Sequence, residues 1–330
     1  MFVSNIVCIF MSVKQLHMRL DLISISNRAE EIFHKLRWGS SGVCCPRCGS
    51  IKIYNQDSKI HICGDCRNHF SDTSNTIFHS TKIPLSKWLY AIYVFITSSR
   101  GISSYNLSRS IQVSQPTAWR MLSLLRSRLS QDLNIMNEEE DIIADEIWFG
   151  ADWKKMQFKR KLKKATALGL TLPKPKGSDK HSVSIFKGAL RHTLKKASNM
   201  DKICIVGISA YNKRSLYLHP FIYDEERSLK ISQFIAQIPH NKHLVSDESA
   251  LYKLFPKHST NNHSINQWKS DDGYSSNRLE GAFAHFRRFI RGTYQWISKR
   301  YSAGYINEFC FRWNNPNIED RLSLLFECLV

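Results

Sequence analysis

The sequence predicts an α/β fold for its second half, preceded by a small metal-bound ribbon and a helical module. Three observations carry this prediction. Strand-like apolar runs begin at Asp141, two Cys-x-x-Cys pairs lie between residues 45 and 66, and helix-start signals fall between residues 84 and 132. A chain of 330 residues can bury one substantial core and carry one or two small modules beside it. The expected division is an N-terminal helical segment over 1–40, a ribbon over 41–75, a helical module over 80–135 and an α/β domain over 138–318.

The run from Met1 to Met11 is apolar but short, with no basic start and no small-residue cleavage site, so it reads as neither a signal peptide nor a membrane span. Met11 and Met18 are alternative start positions. No stretch reaches the roughly 20 apolar residues that cross a bilayer. From Ser24 to Arg37 the pattern is a short amphipathic helix with Ile32, Phe33 and Leu36 on one side. Hydrophobic residues at 42% and charged residues at 23% exclude disorder. Forty-seven Lys and Arg against 28 Asp and Glu give a formal charge of +19, which favours a polyanionic partner, nucleic acid ahead of an acidic membrane surface. A cytoplasmic, nucleoid-associated location is expected, where the nine cysteines stay reduced and serve as ligands or core fillers.

Cys45-Pro-Arg-Cys48 and Cys63-Gly-Asp-Cys66 are separated by fourteen residues. That spacing suits two knuckles converging on one tetrahedral Zn²⁺, with Gly49 and Gly64 supplying the turns. So small a segment folds on the free energy of its metal, and such a zinc is structural. Two redox pairs would not need ribbon spacing. Cys44, His61 and His69 are the weaker substitutes for a ligand.

Pro84 stands at a helix start, and Ser103 and Ser114 can cap two further helices, the second with Pro116 in its first turn. Leu107 and Ile111 point inward from the first of these. Trp119, Leu122 and Leu125 or Arg126 recur on one face of the second. This is a helix-turn-helix pattern whose early residues Gln115, Thr117 and Arg120 are types that reach base edges in a major groove. A plain helical hairpin used for packing has the same pattern.

Strand-like runs then appear at 142–144, 203–208, 215–218 and 243–245, with helical patterns at 226–238 and 278–291. Lys154–Lys187 is a lysine-rich insertion containing Pro173 and Pro175 and is expected to be a loop or arm. Asp145 and Asp247 end two strands, and Glu280 follows Asp247 by 33 positions on a helix. Carboxylates from separate elements are what two-metal phosphodiester chemistry needs, with Mg²⁺ or Mn²⁺ held by hard oxygen ligands. Strand-end acids are also common as caps. Glu146 and Glu248 are expected to face outward by strand alternation, and Asp271 and Asp272 fall in a polar loop.

With these residues in view, the chain from about Phe33 to Asn315 resembles the ISXO-like bacterial insertion-sequence transposases, which pair a zinc ribbon with a DDE-type catalytic domain. The resemblance rests on the two cysteine pairs, Thr76-x-Phe-His-x-Thr-Lys-x-Pro-Leu-x-x-Trp88, Asn277-Arg-Leu-Glu280, Phe286-Arg-Arg-Phe-Ile-Arg-Gly-Thr-Tyr294 and Asn307-Glu-Phe-Cys-Phe-Arg-Trp-Asn314. It implies a ribonuclease-H-like domain in which Asp145, Asp247 and Glu280 hold the catalytic metal, with Asn277 as the substitute third member. The lysine that relatives carry seven positions after the glutamate is Arg287 here, and their Gly-Gly after the first aspartate reads Gly150-Ala151. Arg287, Arg288 and Arg291, interleaved with Tyr294 and Trp296, then look like a clamp on a DNA end. A solvated helix face is the plainer reading. The implied activity is metal-assisted cleavage at element ends followed by strand transfer to target DNA, carried out by a homo-oligomer on double-stranded DNA with no membrane partner. The alternative is a decayed or domesticated transposase acting as a DNA-binding regulator.

Overall fold

A computed structural model describes residues 22–39, 42–54, 60–131, 140–150, 153, 155–174, 178, 180–247, 252, 255–261, 270 and 273–329. The initiation alternatives, Glu248, Asp271 and Asp272 lie outside them. The chain divides into two units. One comprises residues 1–130, 288–296 and 307–330, the other residues 131–287 and 297–306.

In the first unit, helix α1 (Leu22–Trp38) extends the expected amphipathic segment by two residues at its start and one at its end. Phe33 is buried beside Phe78, edge to face at 5.0 Å, and Phe78 meets Trp88 in the same way at 5.2 Å. Trp88 belongs to α2 (Leu85–Thr97), whose apolar run also buries Ile92, Phe95 and Ile96. Helices α3 (Ser104–Ile111) and α4 (Gln115–Arg128) start where the serines predict. Ser103 accepts from the amide of Asn106, Ser114 accepts from that of Thr117, and Pro116 sits in the first turn of α4. The buried face of α4 is Ala118, Met121, Leu122, Leu125 and Arg126; Trp119 lies only at its margin.

Between α1 and α2 lies a three-stranded antiparallel sheet, β1 (Ile53–Tyr54), β2 (His61–Cys63) and β3 (His69–Phe70), in the order β1-β2-β3. Its small core joins Val43, Ile53 and Phe70 to Trp38 of α1. Asp72 ties the same pieces together. Its carboxylate accepts from Trp38 Nε1 at 2.7 Å and lies 2.9 Å from His34 Nδ1 and 2.8 Å from the fully buried His61 Nε2.

The second unit is built on a five-stranded sheet of β4 (Asp141–Phe149), β5 (Ile203–Ala210), β6 (Tyr217–Phe221), β7 (His243–Asp247) and β8 (His258–Asn261). The order is β6-β5-β4-β7-β8, with β6, β5 and β4 antiparallel and β7 and β8 added in parallel. Helix α7 (Arg227–Ile235) packs Ile231 and Phe234 into the core formed on one face by Ile142, Ala144, Val206 and Ile208. Helix α8 (Asn277–Phe289) continues into a π-helical turn over Ile290–Tyr294. Helices α9 (Ser302–Asn314) and α10 (Ile318–Leu329) complete the chain, and α10 adds Leu325 and Phe326 to the core of the first unit.

The lysine-rich insertion is not a loop. It forms α5 (Phe158–Ala167) and α6 (Lys180–Asp201), which share a small apolar core with Trp153. Lysine and arginine are good helix formers, and Phe186, Leu190, Leu194 and Ala197 recur at helical spacing beneath them. The density of charge hides that period. Among the described residues, no cysteine is bridged to another and no helix is long and apolar enough to cross a membrane.

Candidate functional site

The four thiols of Cys45, Cys48, Cys63 and Cys66 converge. Cys45 Sγ lies 3.5 Å from Cys66 Sγ, and Cys48 Sγ lies 3.6 Å from Cys63 Sγ. Sulfurs about 2.3 Å from one tetrahedral zinc stand about 3.8 Å apart, so the cluster fits that ion with little adjustment. Burial pushes the Cys45 thiol up, but the amides of Arg47 and Cys48 outweigh it and hold that thiol at about 6. The two knuckles are built differently. Gly49 takes a left-handed turn at φ +75°, and Arg67 takes the matching turn of the second knuckle at φ +56°. Gly64 is needed instead for close approach, because a Cβ there would lie 3.2 Å from the Lys52 carbonyl that its amide bonds. Cys44 packs beside the cluster rather than completing it, His61 is bound to Asp72 instead, and His69 is exposed.

The carboxylate site begins with register. Asp145 stands opposite Gly207 of β5, so the two point to the same face of the sheet. A Cβ on Gly207 would meet Phe283 at 2.8 Å and Leu279 at 3.0 Å. The missing side chain is what lets α8 lie on this face, and it brings Glu280, next to Leu279, towards Asp145. Glu280 accepts from Ser276 Oγ at 2.9 Å. On the other side of β4, hydrogen-bonded pairing with β7 stops at Ile143 and Val245. Beyond that point acids from either face of β4 can reach the gap. Oxygens of Asp145, Glu146 and Asp247 lie within 4.8 Å of one another there.

Glu146 therefore departs from the outward orientation expected of it. It accepts a 2.9 Å hydrogen bond from Tyr252, which is fully buried. Alternation does send it to the face opposite Asp145, but its longer side chain turns back along the edge of β4 that β7 no longer pairs. Burial, joined by the charges of Asp247, Glu146 and Glu280, raises the Asp145 carboxyl to about 7. The Cys204 thiol on the Glu146 side is pushed up to about 12 by burial and by that glutamate. An all-oxygen, anionic cluster of this kind suits a hard divalent cation.

Asn277 and Arg287 are exposed at opposite ends of α8, and Arg288 and Arg291 are exposed as well. Tyr294 is not available as a stacking platform. Its hydroxyl lies 3.1 Å from both oxygens of the fully buried Glu308, and Phe289 packs against its ring. Trp296 is 65% exposed. At the start of α4, Arg120 is exposed, the Gln115 amide donates to Ser104 Oγ at 2.7 Å, and the Thr117 hydroxyl lies 2.8 Å from that of Ser114.

Residues 180–314 match the ISXO2-like transposase domain, and residues 26–69 match the transposase zinc-ribbon domain. The first match includes Asp247, Asn277, Glu280 and Arg287 and begins after Asp145; the second includes all four clustered cysteines. Over 101 residues the chain is 31% identical to a protein described as an uncharacterized protein in transposable element ISH50 of Halobacterium salinarum. That stretch covers 28% of this chain and 32% of the relative, so the chain spans about a third of the relative's length. No solved structure matches.

Proposed function

We propose that this chain, which carries an ISXO2-like transposase domain and a transposase zinc-ribbon domain, is a DNA transposase that cuts and joins strands at the ends of an insertion sequence. The observation that carries the reading is the carboxylate cluster midway along β4, where its pairing with β7 stops, facing the helix that bears Glu280. Three antiparallel strands continued by two parallel ones support a ribonuclease-H-like catalytic domain over 138–318.

Asp145 and Asp247 are the principal ligands for Mg²⁺ or Mn²⁺, with Glu280 as the third member, Asn277 as its substitute, and Glu146 as an addition drawn from the cluster. Cations held there would supply activation of a water or 3′-hydroxyl and charge neutralisation for the leaving oxygen. The chain's own residues position the DNA. Arg287 can hold a phosphate through both guanidinium nitrogens, and Arg288 and Arg291 offer further backbone contacts. The zinc of Cys45, Cys48, Cys63 and Cys66 stabilises the ribbon over 41–75 and takes no part in the reaction. Within 80–135, α3 and α4 act as a helix-turn-helix. Arg120 is already exposed for a base edge, while Gln115 and Thr117 exchange their bonds to Ser104 and Ser114 for DNA. Helix α1, within the expected N-terminal segment 1–40, leads into the ribbon, and copies of the chain associate on paired ends in the cytoplasm.

Strand transfer by purified protein, on labelled DNA carrying the element's own ends with Mg²⁺ or Mn²⁺, tests the reading beside Asp247→Asn. Metal-dependent joining by the wild type, lost in the variant, is expected. End binding with no cleavage under either metal would replace the reading with that of a DNA-binding regulator. Cutting by the variant would remove Asp247 from the site.

A further inference from the structure

The helical pair α5 and α6 carries charge that none of the roles above uses. Between residues 153 and 202 stand fifteen Lys or Arg and two Asp, a formal charge of +13 within a chain of +19. One of the two acids, Asp201, is already taken by Lys164 and accepts from Trp153 Nε1. Helix α6 is 22 residues long and buries only Ala197. Along it runs a groove of about 920 Å³ lined by Phe158, Phe186 and Leu190 together with Lys187, Arg191 and Lys195. Phe158 is 55% exposed. Lys187, Arg191 and Lys195 are exposed and recur every fourth residue, a ladder of cations about 6 Å apart on one side of the helix.

An apolar floor and a cationic wall ask for one occupant with both chemistries. A second copy of this arm would bring like charge against like. A DNA duplex offers phosphates, but its base faces are stacked inside. An unpaired strand offers a phosphate backbone together with open base faces, and cationic grooves with aromatic rings are how such strands are held. We propose that the groove along α6 binds an unpaired DNA strand, with the backbone on Lys187, Arg191 and Lys195 and bases on Phe158 and Phe186. The choice of DNA rests on the transposase reading; the binding itself rests on the arm.

The test uses the full, zinc-loaded chain carrying Asp247→Asn, so that binding is measured without cutting. Fluorescence anisotropy follows labelled oligothymidine of roughly 20 nucleotides, longer than common single-strand sites, and a random duplex of the same length. Combined Lys187→Gln, Arg191→Gln and Lys195→Gln should weaken oligothymidine binding at least about tenfold and reduce the slope of log affinity on log salt by about 2. Phe158→Ala, at an exposed position that leaves the fold intact, should weaken oligothymidine binding about tenfold and duplex binding less than about twofold. Oligothymidine binding unchanged by both variants would overturn the proposal. Equal losses on strand and duplex with Phe158→Ala would overturn it as well, in favour of a groove for duplex DNA. If oligothymidine binding behaves as stated while strand transfer is absent, the transposase reading fails and the arm stands. Strand transfer with a strand-indifferent arm means the reverse.

Discussion

Glu308 and Asp145 each withdraw a carboxylate from water, one in each unit, and meet opposite surroundings. Glu308 lies fully buried between two guanidinium groups. It accepts from Arg126 Nε at 2.7 Å and from Arg312 Nη2 at 2.9 Å, with the Tyr294 hydroxyl completing the set. Arg312 in turn donates to the carbonyls of Phe95 and Ser98 at the end of α2. Burial alone would raise the Glu308 carboxyl, but the two arginines overcome it and hold the group below its ordinary 4.5. Among the described residues, no such cation acts on Asp145. Its neighbours are Asp247, Glu146 and Glu280, and its carboxyl stands at about 7 against an ordinary 3.8. A charge neutralised by the chain's own residues braces a fold. A charge left among its like costs the fold stability and suits a cation from outside, as the proposed function requires.

The largest effect is expected where the brace is broken. Removing one of its two cations leaves the buried Glu308 only half compensated by Arg312, so Arg126→Met should cost about 3 kcal/mol in urea unfolding. A loss below about 1 kcal/mol would place Glu308 in contact with water and end the contrast. The sign of pH dependence separates the two groups further. Glu308, with its carboxyl depressed, contributes stability that is present above about pH 4.5 and lost on acidification through its folded value. Asp145 works the other way. The metal-free fold keeps a proton that the unfolded chain releases near 3.8, so stability falls as pH rises towards 7 and is level above it. Asp145→Asn should therefore raise stability by roughly 2–4 kcal/mol at pH 8, and by little at pH 4, in protein holding zinc but no Mg²⁺. Adding Mg²⁺ should raise the Tm of the wild type and leave that of the variant unmoved. A variant no more stable than wild type at pH 8 would show that the cluster carries no repulsion.

The parts legible in the sequence are those whose cause is local. Ser103 and Ser114 announce their helices because a cap needs only the next turn, and the cysteine spacing announces the ribbon because each knuckle closes within five residues. β4, β5 and β7 could be read from their apolar runs, whereas His-Ser-Thr-Asn of β8 has no such run and becomes a strand by pairing with β7. The helices of the basic arm were hidden by charge. Tyr294 read as a surface aromatic among arginines, because nothing local reveals Glu308 fourteen positions on. Asp145 and Asp247 could be singled out as acids closing apolar runs, and Asp247 does end β7, but Asp145 lies mid-strand because β4 runs on to Phe149 against β5. Glu146 could not, because alternation fixes which way its Cα–Cβ bond points and not where a long side chain ends once its strand has lost a neighbour. The signal that finds it is Tyr252, and the two meet only across 106 positions of chain.

That hydrogen bond offers the finest test of the comparison. Tyr252 is fully buried and its hydroxyl is held far above its ordinary range, first by burial and then by Glu146, so it is a donor at any workable pH. Around Glu308 two of the donors are cationic and cancel the charge; at Glu146 the Tyr252 hydroxyl is neutral and orients the carboxylate without cancelling it. Tyr252→Phe keeps the ring and removes the donor, so the core should hold and stability should fall by only about 1–2 kcal/mol. The larger consequence belongs to the cation. A residue that orients a ligand commonly changes metal affinity about 10- to 100-fold, so the Mg²⁺ concentration that half-saturates the Tm rise should increase about tenfold in Tyr252→Phe. An unchanged Mg²⁺ midpoint beside the stability loss would make Tyr252 and Glu146 a second structural pair, and leave the cation to Asp145, Asp247 and Glu280.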